Sequence, residues 1–87
     1  MVTEKQKKIL QHMLGADERY LKKEWGFRNH YTLEYGSDGF DDLTEMENLG
    51  LVKRGNRLDS VVFWATKQGA LEIGFKPAQL RRTSLAA

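Results

Sequence analysis

The chain has 87 residues, 40% of them apolar, a formal charge of +2 and no cysteine. This allows one small apolar core near the size at which domains begin to need staples, and it excludes disulfides and thiolate metal sites. No apolar run approaches the roughly 18 residues of a membrane span. The start MVTEKQKKIL lacks the apolar centre of a signal peptide, so a cytoplasmic protein away from membranes is expected.

Thr3-Glu4-Lys5-Gln6 fits a capping box, with a hydroxyl at the cap and a glutamine three residues later. Ile9, Leu10, Met13 and Leu14 then recur on one helical face, and Gly15 supplies a left-handed stop. The spacing predicts a helix over about 3–14, with Lys5, Lys8, Gln11 and His12 on its outer side. Asp17 caps a second, short helix that turns Tyr20, Leu21 and Trp25 inward and ends at Gly26. Residues 27–36, FRNHYTLEYG, are aromatic and β-branched with partial alternation, so either a short strand or an ordered loop fits.

Ser37 or Asp38 caps the next helix, over about 38–49, whose apolar stripe is Phe40, Leu43, Met46 and Leu49. At 100° per residue, Asp38, Asp41, Asp42 and Glu45 collect on the side away from Leu43. Leu51-Val52-Lys53 reads as a strand, Arg54-Gly55-Asn56-Arg57 as a turn, and Val61–Ala65 as the returning strand of a β-hairpin. Alternation along that strand turns Phe63 into the core and Val62 and Trp64 outward. Thr66 caps a last helix over about 67–74, stopped by Gly74 and Pro77. Residues 1–77 thus read as a single domain and 78–87 as a flexible tail.

Helix, helix, acidic helix, hairpin, helix is the order of a winged helix, an α+β and mostly helical fold. Leu43-x-x-Met46-x-x-Leu49-Gly50-Leu51-Val52-x-Arg54 resembles the helix-to-wing junction of winged helix-turn-helix regulators of the multiple-antibiotic-resistance type. Phe63-x-x-Thr66-x-x-Gly69 resembles their junction from wing to last helix. A second resemblance spans more of the chain: Leu14-Gly15-x-Asp17, Arg28-Asn29-His30-Tyr31, Gly36-Ser37-Asp38 and Leu49-Gly50-Leu51 are similar to a family of small phage and prophage reading frames. That family has Phe where Tyr31 stands and Val where Ala65 stands. The resemblance implies a winged-helix-like fold and a bacterial host cell, and no mechanism.

Charge weighs on function more than fold does. Residues 36–50 carry five acidic and no basic side chains, while residues 51–87 carry seven basic and two acidic. In winged-helix docking the helix before the wing enters the major groove, and affinity comes largely from Lys and Arg on phosphates. An outward face of Asp38, Asp41, Asp42 and Glu45 opposes that. It is a solvated face, with acids favoured near a helix N-terminus, or a protein-facing patch, or a set of acceptors for cytosine amines in base readout. Trp64 and Val62 add a candidate interface pair.

Two function classes follow. One is a non-enzymatic module that binds a protein partner through the acidic helix, in assembly or in modulation of a host protein. The alternative is a DNA-binding regulator that uses Lys53, Arg54 and Arg57 of the wing with Lys5, Lys8, Lys67, Arg81 and Arg82, as a monomer or homodimer. Arg28, Asn29, His30 and Tyr31 either order their loop through hydrogen bonds to Asp38 or backbone carbonyls, or line a binding surface. His12 and His30 lie far apart in sequence, so no metal site is expected, and no cofactor or catalytic constellation is either.

Overall fold

Thr3 begins the first helix as its capping box requires: its hydroxyl accepts from the Gln6 amide at 3.1 Å, and the Gln6 side chain accepts from the Thr3 amide at 3.0 Å. In this computed structural model, which describes residues 2–16, 25–26 and 28–82, the helix α1 runs Glu4–Leu14 and closes at Gly15. Five further elements follow: β1 (Tyr31–Leu33), α2 (Phe40–Asn48), β2 (Val52–Asn56), β3 (Val61–Ala65) and α3 (Lys67–Glu72). A 3-10 turn over Pro77–Arg82 ends the described chain. The described residues form a small α+β domain of three α-helices and a three-stranded antiparallel sheet, with strand order β1-β3-β2. Among the described residues no helix is long and apolar enough to cross a membrane. The short helix expected from Asp17 through Tyr20 and Leu21 lies outside the described residues. Trp25, at its expected end, is partly buried and packs against Phe75 with ring centroids 5.9 Å apart.

The helical spacing of Leu10, Met13 and Leu14 brings all three to full burial, where they meet Leu43 and Met46 of α2 and Phe63 of β3. Burying an aliphatic side chain of this size contributes roughly 1.5–3 kcal/mol, so these positions hold the layers together. The central strand β3 carries the core because both its neighbours pair to it: Tyr31 lies opposite Phe63, and Arg54 lies opposite Phe63 on the other side.

Three expectations are corrected. The helix α2 is capped by Gly39, not by Ser37 or Asp38: the Ser37 hydroxyl donates to the Glu34 carbonyl at 2.7 Å, where it closes the preceding turn. The hairpin turn is residues 57–60, closed by the Arg57 amide on the Ser60 carbonyl at 2.9 Å, so Arg54-Gly55-Asn56 are strand. Leu49 is not core but 51% exposed at the end of α2.

Val62 does not look out to solvent either; it is 4% exposed. The reason is Gly55, which lies opposite Val62 in the register. A Cβ there would sit 2.5 and 2.8 Å from the Trp64 ring, so the absent side chain lets the indole lie down across β2, close to Val62. A strand glycine here marks a close approach rather than a turn.

Candidate functional site

The acidic face of α2 divides when the helix is docked. Asp42 turns towards α1: it accepts from Gln6 Nε2 at 3.4 Å and pairs with Lys5 Nζ at 3.4 Å. Asp38, 94% exposed, takes the same lysine at 3.1 Å. Hydrogen bonds to Asp38 and then Asp42 hold the Lys5 ammonium above the ordinary lysine range. Asp42 is therefore a helix–helix contact and not an outward acid, and Lys5 is engaged rather than offered to phosphate. Asp41 and Glu45 remain exposed, with no ion pair among the described residues. Four residues apart, they share a face, and that face continues to Leu49. The result is an exposed stripe of two carboxylates ending in an exposed leucine.

Arg54 stands on β2 and turns its side chain onto the same helix, away from the hairpin tip. Its Nε lies 3.0 Å from both carboxylate oxygens of Glu47, and its Nη2 lies 2.9 Å from Glu47 Oε1 and donates to Thr44 Oγ1 at 3.2 Å. The guanidinium carbon is 5.4 Å from the Phe40 ring centre and 5.2 Å from that of Phe63. Fork geometry and aromatic faces favour arginine over lysine. The placement follows from chain reversal at Gly50, since Glu47 stands three residues before it and Arg54 four after. Arg54→Ala is expected to cost about 2 kcal/mol through the lost charge-assisted bonds and ring contacts, and Arg54→Lys to recover less than half of that. Urea melts of the two variants check this; an alanine variant as stable as wild type would show the network to be ornamental.

Of the other expected cations, Lys8, Lys53, Arg57 and Lys67 are exposed and have no ion pair among the described residues. Lys53 faces Trp64 across β2 and β3 on the side away from Phe63. The side chains of Arg81 and Arg82 lie outside the described residues. Leu58, at the hairpin tip beside Arg57, is fully exposed.

The stretch Arg28–Tyr31 is tied to backbone, not to Asp38. Arg28 Nε donates to the His12 carbonyl at 3.0 Å. Asn29 grips Ala65 at both ends, donating through Nδ2 to its carbonyl at 3.1 Å and accepting its amide at Oδ1 at 2.8 Å. The His30 amide donates to the Met13 carbonyl at 3.3 Å, and the rings of His12 and Tyr31 meet edge to face at 5.7 Å. These contacts open a cleft of about 360 Å3 between the end of α1 and the edge of β1, lined by His12, Arg28, His30, Tyr31 and Thr32. The two histidines, 18 residues apart in sequence, thus share one site, and Thr32 joins them without any motif to mark it. Among the described residues no group of three metal-ligating side chains forms there or elsewhere. Comparison with protein-family models, with curated proteins and with solved structures finds no match for this chain.

Proposed function

We propose that this chain is a non-enzymatic, winged-helix-like module that presents α2 to a protein partner. The element order α1, β1, α2, hairpin, α3 and the sheet order β1-β3-β2 support the winged-helix reading. One observation carries the function: the outward stripe of α2 is Asp41, Glu45 and Leu49, while Arg54 is held by Glu47. A helix so equipped repels phosphates and offers a basic protein surface two carboxylates and an apolar contact. The partner class is accordingly a Lys- or Arg-bearing protein face. In line with the resemblance to small phage reading frames, the role is assembly or modulation of a host protein.

Two measurements test the reading. Fluorescence anisotropy of a generic DNA duplex, from low to physiological salt, is expected to show no binding. Micromolar binding with a steep negative salt slope would transfer the function to the exposed Lys53 and Arg57, as a DNA regulator. The double variant Asp41→Asn/Glu45→Gln is expected to melt within about 0.5 kcal/mol of wild type, because both sites are exposed, and to lose partner capture from a bacterial lysate. Equal capture by variant and wild type would reduce the stripe to a solvated face.

A further inference from the structure

The cleft beside β1 shares no residue with the α2 stripe. Its walls come from three segments, and among the described residues none of its lining groups is a carboxylate. His12 and His30 are exposed and bring ring N–H donors. Thr32 brings a hydroxyl and Tyr31 a phenol. Arg28, with Nε fixed on the His12 carbonyl, brings a positive charge held in place. That charge also sits against the end of α1, where the negative end of the helix dipole would otherwise oppose an anion.

The backbone adds one more donor. The Arg57 amide donates to Ser60 on the β2 side of the sheet, whereas the Asn29 side chain binds both groups of Ala65 on the β1 side. Because antiparallel ladders alternate, Val61, Phe63 and Ala65 bond towards β1, and Val62 and Trp64 towards β2. Tyr31 and Leu33, opposite Phe63 and Val61, are then the bonded residues of β1. The N–H of Thr32 points out of the sheet at its open edge, on the side where the cleft lies. Immediately before it, the His30 amide points the same way and is closed by Met13. The cleft therefore joins an amide with no backbone partner among the described residues, a hydroxyl, two imidazoles, a phenol and a fixed guanidinium.

From this convergence we infer that the cleft binds the phosphate group of a small phosphate monoester. Tetrahedral oxyanions take several donors converging from different directions, and a volume of about 360 Å3 holds such a group with a small organic substituent.

The test is an NMR titration of the intact chain at fixed pH and ionic strength, with inorganic phosphate, acetate, a nucleoside monophosphate and a DNA duplex as separate probes. Phosphate is expected to give saturable shifts at the Thr32 and His30 amides with a dissociation constant on the order of millimolar. Tighter binding of the nucleoside monophosphate identifies a nucleotide as the source; equal affinity identifies the phosphate group alone. His30→Ala is expected to weaken phosphate by about tenfold. Arg57→Ala, which removes a positive charge at the distant hairpin tip, leaves it unchanged. The inference is overturned if acetate matches phosphate, if the shifts do not saturate, or if Arg57→Ala weakens binding as much as His30→Ala. It is equally overturned if the duplex, and no small phosphate, shifts these amides. Because the probes bind the wild-type chain directly, failure of a variant to fold leaves the test intact, and none of its outcomes depends on the α2 stripe.

Discussion

Gly69→Ala is expected to destabilise the fold by about 3 kcal/mol, although the same change in an ordinary helix stabilises by about 1 kcal/mol. Gly69 is buried in the first turn of α3, and a Cβ there would run into the Leu51 carbonyl oxygen and lie 3.1 Å from its carbon. That carbonyl cannot retreat without loss, because it accepts the Thr66 amide at 3.0 Å. Thr66 is itself committed twice: its hydroxyl accepts the Gly69 amide at 3.1 Å and donates to the Gly50 carbonyl at 2.7 Å. A methyl group would therefore push α3 off the junction where α2 turns into β2 and unmake several buried hydrogen bonds together. For a domain of this size the loss corresponds to a fall in melting temperature of more than about 10 °C. A thermal melt decides it: an alanine variant as stable as wild type would mean that α3 does not approach Leu51 this closely.

This junction was legible in the sequence, and the reason distinguishes it from features that were not. Thr66 acts as a cap within one turn of helix, as Thr3 and Gln6 do at the start of α1, so spacing identifies it, while Gly69 was marked by the resemblance to winged-helix junctions. The apolar periodicity of α1 likewise placed Leu10, Met13 and Leu14 in the core. What escaped depends on distant partners. Strand alternation turns Val62 outward, and the indole lying over Gly55 covers it. Charge counting makes Arg54 a free cation and Asp42 a free acid, yet Glu47 and Lys5 hold them. Leu49 fits the apolar stripe of α2, but it caps the helix beyond Leu43 and Met46, and only those two of the stripe are fully buried in the core. The cleft was the least legible of all. Its histidines come from α1 and from the segment before β1, and they meet because Arg28, Asn29 and His30 bind backbone on two other elements.

Asn29 holds that segment in place, and its replacement is the second large effect. In Asn29→Ala, the amide and carbonyl of Ala65, a fully buried residue, lose both their partners. Each unsatisfied buried backbone group costs about 1–3 kcal/mol, so a total of about 3 kcal/mol is expected. Asn29→Asp separates the two bonds. The carboxylate still accepts the Ala65 amide, but its second oxygen faces the Ala65 carbonyl, where the native amide donates at 3.1 Å. Acceptor against acceptor is repulsive, so the aspartate is expected to be no better than alanine despite its near-identical shape. Hydrogen exchange locates the damage. In Asn29→Ala the Ala65 amide should lose at least about tenfold in protection under conditions where the Phe63 amide, bonded to β1 itself, keeps its own. Unchanged protection at Ala65 would remove the side-chain clamp from the structure. A loss at Ala65 accompanied by weaker phosphate binding would tie the clamp to the cleft, because Asn29 fixes the segment that carries both Arg28 and His30.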